Sequence, residues 1–265
     1  MSHQPSTINH QQIRLFGLIG YPLAHSFSKK YFTEKFEAEG WTHCRYELFP
    51  LEDLRDLPAL LKSNPELEGL NVTIPHKQTV LPFLDEMDEE AAAVGAVNTI
   101  KISDGKRKGF NTDVFGFERS LTDWIGTARP AALVLGTGGA SKAVVFVLKK
   151  LNIPHLTVSR TRHPGGLTYA DITGDVLERH PLVINTTPLG MYPAVEGCPP
   201  LPYEGFGDCH FAFDLVYHPG QTLFLKKAAA HGAQTRNGLQ MLHLQAERAW
   251  AIWNETSFAG KLVNW

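Results

Sequence analysis

The chain has 265 residues, of which 43% are hydrophobic and 20% are charged, and its 27 acidic and 25 basic residues give a formal net charge of -2. This composition is typical of a globular protein with one or two domains, and we expect two. The near balance of charge predicts neither a nucleic acid nor an anionic membrane as a partner. No apolar run reaches the about 18–20 residues that a membrane-spanning helix requires.

The cysteines, Cys44, Cys198 and Cys209, are widely separated and lack the spacing of a zinc site. Their number and spacing predict a reduced, cytoplasmic protein with no bound metal. The first eleven residues are polar and lack the apolar core of a secretory signal, so we interpret them as a frayed lead-in.

The first half of the chain alternates between short apolar runs and amphipathic segments, which predicts a mostly parallel sheet. Strands are predicted over residues 13–20, 45–49 and 69–74, and helices over 27–39, 51–62 and 88–94. Two further strand-like pieces flank Asp104 and Gly105. Asp-Gly is typical of a hairpin turn, so an antiparallel pair is expected at the edge of this sheet.

The strand and helix pattern restarts near Ala131 and indicates a second α/β unit over residues 114–237. Strands are predicted over residues 131–136, 155–159, 182–186 and 211–216, and a helix over 142–151. The last predicted helix, over residues 239–253, is expected to be amphipathic and to return to the first domain. Its predicted apolar face consists of Leu239, Leu242, Ala246, Ala249, Trp250 and Trp253.

The stretch "VLGTGGAS", residues 134–141, lies between a buried strand and a helix. Glycines at such a turn allow a pyrophosphate to approach the backbone and the amide groups of the helix N-terminus. The pattern departs from G-x-G-x-x-G at Ser141, and a tight turn without a ligand is the alternative. The predicted cofactor contacts here are Gly136, Thr137, Gly138, Gly139 and Ala140.

The next predicted strand ends in "SRTR", residues 159–162, where NAD-specific folds place an acidic residue for the ribose hydroxyls. Arg160 and Arg162 flank Thr161 instead, and these groups suit a 2′-phosphate. The sequence therefore predicts NADP rather than NAD, with Ser159, Arg160, Thr161 and Arg162 as contacts. The alternative is a solvated charged turn.

A series of short motifs in order along the chain resembles the shikimate dehydrogenase family, NADP-linked reductases of 3-dehydroshikimate. These motifs are "YPLAHSFS" (21–28), "NVTIPHK" (71–77), "GAVNT" (95–99), "NTD" (111–113), "GTGGAS" (136–141), "SRT" (159–161), "NTTPLGM" (185–191), "DLVY" (214–217) and "NGLQMLHLQA" (237–246). The chain differs from the usual family pattern at Lys29 and Ser159, and His76 occupies a variable position.

The resemblance implies an α/β fold with two domains. Residues 12–112 and 238–265 would form a substrate-binding domain with a mostly parallel sheet, and residues 113–237 a Rossmann-like NADP-binding domain. It also implies a small-molecule substrate and a monomer or homodimer. Alternatives are a dehydrogenase of the quinate/shikimate type with another substrate preference, or a non-catalytic NADP-binding regulator. Ser28, in place of a threonine, favours shikimate over quinate as the substrate. The presence of both Lys77 and Asp113 argues against the non-catalytic regulator.

The resemblance assigns catalysis to Lys77 and Asp113, because an ammonium held by a carboxylate can stabilise and protonate the alkoxide that forms at a reduced ketone. It assigns the substrate carboxylate to Ser26, Ser28 and Tyr217. The ring hydroxyls are assigned to Asn71, Thr73, Asn98, Asp113 and Gln245, and the nicotinamide side of the cofactor to Thr186, Leu215 and Gly238.

Each assignment has a structural alternative. Lys77 could be an ordinary surface lysine, and Asp113 could cap the helix that follows it. Ser26 and Ser28 could likewise be helix caps, Asn71 and Asn98 could satisfy turn backbones, and Gln245 could face solvent.

Overall fold

The computed structural model describes residues 13–23 and 26–256. These residues form two compact units, one from residues up to 86 together with 99–109, and the other from residues 87–98 and from 110 onward. The interpretation of residues 1–11 as a lead-in concerns residues outside the described part, as does the last stretch of the predicted first domain, residues 257–265.

The first sheet is mixed, as predicted. Its strands are β1 (Arg14–Gly20), β2 (Cys44–Pro50), β3 (Leu67–Val72), β4 (Glu86–Met87), β5 (Thr99–Ser103) and β6 (Lys106–Phe110). Their order is β2-β1-β3-β5-β6-β4, with β1 parallel to β2 and β3, and β5 antiparallel to β3. Strand β3 stops at Val72, two residues earlier than predicted.

Two helices accompany this sheet, α1 (Phe27–Ala38) and α2 (Leu57–Ser63). Helix α1 begins where Ser26 accepts a hydrogen bond from the backbone of Ser28. It buries Phe32 and Phe36, and the Phe32 ring stacks on Tyr46 of β2 at 4.6 Å between centroids. Helix α2 is shorter than predicted, because the first part of that segment forms a 3₁₀ turn over Leu54–Asp56.

The second sheet has six strands, and all of its pairs are parallel. Its strands are β7 (Ala132–Leu135), β8 (His155–Ser159), β9 (Leu167–Thr168), β10 (Leu182–Asn185), β11 (Phe211–Asp214) and β12 (Gln234–Arg236), in the order β12-β11-β10-β7-β8-β9. The helices of this unit are α3 (Glu89–Val94), α4 (Thr112–Ile125), α5 (Gly139–Lys150), α6 (Gly174–Arg179), α7 (Leu223–Ala230) and α8 (Leu239–Trp253).

The central strands β7 and β10 are completely buried, which explains their unbroken apolar runs. The chain runs outward from β7 to β8 and β9 on one side, and from β10 to β11 and β12 on the other. The change of direction lies between β7 and β10. Ligands bind at such a switch point in doubly wound sheets, beyond the carboxyl ends of the strands.

Helix α8 has the predicted bounds. It packs along α4 and lies in the second compact unit, although its sequence predicts a return to the first domain. The close approach depends on Gly116 of α4, where an added Cβ would lie 2.6 Å from the carbonyl oxygen of Met241. The predicted apolar face is wrong at Leu239, which is 42% exposed, while Met241 and Leu244 are buried. The division of the chain into a substrate-binding and a cofactor-binding part stays a prediction.

Candidate functional site

A buried tyrosine joins two of the predicted substrate residues in the first unit. The Tyr46 hydroxyl donates a hydrogen bond to Oδ1 of Asn71 at 2.7 Å and is also hydrogen-bonded to Ser28. Nδ2 of Asn71 donates to Oγ1 of Thr99 at 3.2 Å. Burial raises the pKa of the Tyr46 phenol, so this group stays protonated and acts as a donor. These hydrogen bonds link the side chains of Ser28, Tyr46, Asn71 and Thr99 in series, and they fix the Asn71 amide near the end of β3.

Lys77 lies in a series of turns that follows β3, and it is partly buried. The neighbouring His76 is buried, and its Nε2 lies 2.6 Å from the carbonyl oxygen of Leu51, so this nitrogen carries a proton and donates. The backbone nitrogen of His76 donates to the carbonyl oxygen of Thr73 at 2.8 Å. The turn that carries Lys77 is therefore anchored on its N-terminal side by a buried imidazole.

The capping alternative is confirmed for Ser26, which accepts from the backbone nitrogen of Ser28 at 3.3 Å. A cap role does not conflict with carboxylate binding, because a serine hydroxyl has one donor and two acceptor positions. Thr73 follows β3 and donates its backbone N–H to Ile19 at 2.9 Å.

Three predicted substrate residues of the second unit meet at the start of α4. Nδ2 of Asn98 donates to Oδ1 of Asp113 at 2.9 Å and to Oγ1 of Thr112 at 3.0 Å, and Oδ1 of Asn98 accepts from the backbone nitrogen of Thr112 at 2.7 Å. The Thr112 hydroxyl lies 3.4 Å from Oε1 of Gln245. Thr112 therefore links Asn98 and Gln245.

The alternative that Asp113 caps α4 is wrong, because the N-cap is Asn111 and Asp113 lies inside the first turn. Asp113 is 5% exposed and its carboxylate is held by the Asn98 amide. The alternative for Asn98 is correct in part, since its carbonyl oxygen accepts from the backbone of Thr112. The two Asn71 bonds described above join it to the side chains of Tyr46 and Thr99.

The predicted cofactor residues lie at one edge of the second sheet, where its parallel strands end. Gly136 to Ala140 follow β7, Arg160 to Arg162 follow β8, Thr186 follows β10, Leu215 follows β11 and Gly238 follows β12. Gly136 and Thr186 lie on either side of the switch point, and Oγ1 of Thr186 donates to the carbonyl oxygen of Leu135 at 2.6 Å. A Cβ added to Gly136, whose φ is +112°, would lie 2.6 Å from that same hydroxyl oxygen.

The N-terminus of α5 suits a pyrophosphate. Its N-cap is Gly138, which offers no side chain to the terminal amides, and its first turn has no acidic residue. A Cβ added at Gly138 would meet no atom within 4 Å, so the approach to these amides is open. The Ser141 hydroxyl donates back to the carbonyl oxygen of Gly136 at 2.8 Å and closes the turn. These features fit the diphosphate of a dinucleotide.

The turn after β8 presents two exposed arginines, Arg160 and Arg162. Nη2 of Arg162 donates to both carboxylate oxygens of Asp171, at 2.8 and 3.0 Å. His163 lies between two hydroxyls, with Nε2 2.8 Å from Oγ1 of Thr157 and Nδ1 3.1 Å from Oγ of Ser159. The turn is therefore shaped by side-chain hydrogen bonds, and its exposed guanidinium groups fit a 2′-phosphate.

Asp214 ends β11 and is completely buried opposite Asn185 of β10. Burial raises the pKa of its carboxyl from 3.8 to about 6, against the effect of hydrogen bonds from Thr222, Val216 and Asn185. Leu215, the next residue, packs its backbone against Gly238, and a Cβ on Gly238 would lie 2.1 Å from the Leu215 carbonyl oxygen. Among the described residues, no group of three or more His, Cys, Asp or Glu side chains could hold a metal ion.

Residues 18–100 match the model of the shikimate dehydrogenase substrate binding domain. A shikimate dehydrogenase (NADP(+)) of Oleidesulfovibrio alaskensis is 41% identical over 252 residues, which span 91% of this chain and 89% of that protein. The chain belongs to the shikimate dehydrogenase family. A shikimate dehydrogenase (NADP(+)) of Methanococcus maripaludis is 36% identical over 91% of each chain.

Solved structures of this family share the fold. Shikimate 5-dehydrogenase of Thermus thermophilus, in complex with NADP(H) and shikimate, has a TM-score of 0.81 and 33% identity, over 92% of this chain and 94% of that one. Quinate dehydrogenase of Corynebacterium glutamicum, in complex with NAD, has a TM-score of 0.81 and 30% identity, over 92% and 95%. The predicted family and α/β fold are confirmed.

Three residues of the site were not recognised in the sequence. Tyr46 lies inside a predicted strand and Thr112 inside the quoted "NTD" motif, and neither position carries a distinguishing pattern. Asp214 could have been recognised, because it directly follows an apolar run that predicts a buried strand. An acidic residue at such a position requires specific polar partners. The pairing of Asn185 with Asp214 is a buried polar contact beside the loops that are predicted to bind the cofactor.

The raised pKa of Asp214 predicts that its effect on stability depends on pH. The cost of burying the charged form is absent below pH 3.8, where the carboxyl is protonated, and complete above about pH 6. The contribution of Asp214 to the free energy of unfolding should therefore fall across this interval. The full effect is about 3 kcal/mol, at roughly 1.4 kcal/mol per pKa unit. Denaturant unfolding of the wild type and Asp214→Asn should be measured between pH 4 and 7. The free energy of unfolding of the wild type should fall relative to that of Asp214→Asn as the pH rises. A difference independent of pH would contradict the expectation.

Proposed function

We propose that this protein is an NADP-dependent oxidoreductase that reversibly reduces 3-dehydroshikimate to shikimate. The observation that carries the proposal is the 41% identity, over 91% of the chain, to a shikimate dehydrogenase (NADP(+)). The geometry is consistent with it, because the predicted cofactor residues follow the carboxyl ends of parallel strands in the second sheet, and Asn98, Asp113 and Gln245 meet at the start of α4. NADPH, when bound, supplies the hydride that the reduction requires.

Lys77 and Asp113 are the proposed catalytic residues. Reduction of the ketone places negative charge on its oxygen, and the Lys77 ammonium would stabilise that charge and supply a proton to the site. The carboxylate of Asp113 would keep the ammonium charged by Coulombic attraction and orient it. Asn98 supports this role, since its amide holds Oδ1 of Asp113 at 2.9 Å and so limits the rotation of the carboxylate.

The remaining substrate contacts follow the polarity of shikimate, a ring with one carboxylate and three hydroxyls. Ser26, Ser28 and Tyr217 are proposed to bind the carboxylate. Asn71, Thr73, Asn98, Asp113 and Gln245 are proposed to bind the hydroxyls, as donors, acceptors or both. The hydrogen bonds of Asn71 to Tyr46 and Thr99 support this proposal, because they fix an amide that would otherwise rotate freely.

The proposed preference for NADP rests on Arg160, Thr161 and Arg162, since charge-assisted hydrogen bonds to a 2′-phosphate are each worth about 1.5–3 kcal/mol. Arg162 already pairs with Asp171, so part of its charge is neutralised and Arg160 is proposed as the stronger contact. The pyrophosphate is proposed to bind at residues 136–140, and the nicotinamide side beside Thr186, Leu215 and Gly238.

We also propose that the protein acts in the cytoplasm as a monomer or homodimer. Its three cysteines are free, as expected in a reducing compartment. No helix among residues 13–23 and 26–256 has the length and apolar character needed to cross a membrane.

The proposed reaction is tested by steady-state kinetics with four combinations, shikimate or quinate with NADP or NAD. Formation of reduced cofactor should be fastest with shikimate and NADP, and Arg160→Ala should raise the KM for NADP while leaving the rate with NAD nearly unchanged. A higher kcat/KM with quinate would instead assign the protein to the quinate dehydrogenases. Absence of turnover with all four combinations would favour a non-catalytic NADP-binding protein.

The role of the buried hydroxyl chain is tested by Tyr46→Phe, which removes one oxygen atom and the donor to Asn71. The KM for shikimate should rise about tenfold, because loss of such a hydrogen bond costs about 1 kcal/mol or slightly more. The KM for NADP should not change. Tyr203→Phe is a matched control, since the Tyr203 hydroxyl is also buried and donates to the carbonyl oxygen of Pro199 at 2.8 Å. Equal shikimate KM values in the two variants would contradict the role of Tyr46.

A further inference from the structure

The carboxylate of Asp214 connects three segments at the carboxyl edge of the second sheet. Its Oδ1 accepts from Nδ2 of Asn185 at 2.9 Å and from the backbone nitrogen of Val216 at 3.0 Å. Its Oδ2 accepts from Oγ1 of Thr222 at 2.6 Å. Asp214, Asn185 and Thr222 are all completely buried, so these bonds are shielded from water.

The first segment is the loop of residues 186–190, which begins with Thr186. Asn185 bonds to the carboxylate through its amide nitrogen and turns its Oδ1 toward this loop. That oxygen accepts from Oγ1 of Thr187 at 2.6 Å and from the Thr187 backbone nitrogen at 3.0 Å. The Thr187 hydroxyl in turn accepts from the backbone nitrogen of Leu189 at 3.3 Å. The carboxylate therefore determines, through one intermediate side chain, how the chain leaves β10.

The second segment, residues 215–221, is called the strap here, and it carries Leu215 and Tyr217. Asp214 immediately precedes the strap and Thr222 immediately follows it. Because Val216 and Thr222 bond to different oxygens of one carboxylate, both ends of the strap are held at the same point. Thr222 also begins α7 by accepting from the backbone nitrogen of Leu225 at 3.4 Å, and this helix is the third segment.

Other hydrogen bonds hold the middle of the strap. The carbonyl oxygen of Val216 accepts from Gly238 at 3.2 Å, that of His218 from the backbone of Tyr192 at 3.1 Å, and that of Gly220 from Nδ2 of Asn237 at 2.8 Å. Two of these bonds attach the strap to the short connection between β12 and α8, and the third attaches it to the loop that carries Tyr192. The bonds to Asp214 differ from them, because they set the separation of the two strap ends.

A buried carboxylate costs stability unless its oxygens are well satisfied, and an apolar residue of similar size is often more stabilising. Its presence therefore points to a requirement for geometry. We propose that Asp214 is a positioning residue, which holds the loop of Thr186 and the strap of Leu215 and Tyr217 in the one arrangement that binds cofactor and substrate together. This inference rests on the proposed function, from which the roles of those three residues come.

Three substitutions test the inference at different strengths. Asp214→Ala leaves the donors of Asn185, Val216 and Thr222 without their acceptor, so the KM values for shikimate and NADP should both rise by roughly 10- to 100-fold. Thr222→Val keeps the shape of the side chain and removes a single bond to the carboxylate, so both KM values should rise about threefold to tenfold. Asp214→Asn, which keeps one acceptor oxygen, should lie between the wild type and Asp214→Ala.

Thr173→Val is the matched control for loss of a helix cap. Thr173 accepts from the backbone nitrogen of Val176 at 3.4 Å, the distance that Thr222 shows to Leu225, but it begins α6. Thr173→Val and Thr222→Val should both weaken a helix start, and only Thr222→Val should change the two KM values. Amide hydrogen exchange at Thr187 and Val216 should also be faster in Thr222→Val and Asp214→Asn, with no change in Thr173→Val.

The outcomes separate this inference from the proposed function. If the wild type oxidises shikimate with NADP and the folded Asp214 and Thr222 variants keep its KM values, the inference is wrong and the function stands. If the wild type is inactive with shikimate, the proposed function is wrong. Independently of activity, unchanged amide exchange in the variants would contradict the inference that Asp214 holds the loop of Thr186 and the strap in place. Should Asp214→Ala fail to fold, Thr222→Val and Asp214→Asn decide the matter by the same measurements.

Discussion

A buried polar group without a hydrogen-bonding partner costs about 1–3 kcal/mol, and several buried side chains among the predicted site residues and their neighbours meet that constraint by bonding to one another. In the first unit, Tyr46 joins Ser28 to Asn71. In the second, Asn98 binds Asp113, and Asp214 binds three donors from three segments. Each of these groups bonds to at least one side chain from another part of the chain, so the bonds that remove the energetic penalty also fix the positions of the predicted site residues.

This arrangement has a consequence for catalysis, since positioned groups accelerate a reaction only if they are already in place when the substrate binds. Asp113 is oriented by the amide of Asn98, which belongs to the protein itself. The turn of Lys77 is anchored by the buried imidazole of His76. The N-terminus of α5 keeps its amides accessible, because glycine occupies the N-cap. The protein thus holds its proposed catalytic and cofactor groups through its own internal hydrogen bonds.

The central strands could be predicted from sequence because burial on both faces requires an unbroken apolar run, as in residues 132–135 and 182–184. The short strands β4, β9 and β12 and the helices α6 and α7 were not predicted, since segments of two to eight residues contain little periodicity. The glycine turn and the "SRTR" turn were recognisable because their chemistry depends on residues adjacent in the chain.

Contacts between distant residues could not be predicted in the same way. Nothing in the sequence near Tyr46 indicates that its hydroxyl reaches Asn71, and Gly116 does not reveal that Met241 packs against it. The packing of α8 on α4 could not be predicted from its sequence for the same reason. The family resemblance supplied the site residues, and the structure adds the partners that hold several of them, such as Thr112 beside Asn98.

The central claim is that this chain reduces a ketone with the help of its own lysine, and the most direct measurement is the kcat and KM of Lys77→Ala with shikimate and NADP. A group that acts mainly on the transition state affects kcat more than KM, so kcat should fall by roughly 10²- to 10³-fold while the KM for shikimate changes much less. Lys62→Ala, at an exposed lysine in the last turn of α2, should match the wild type. An unchanged kcat in Lys77→Ala would contradict the account.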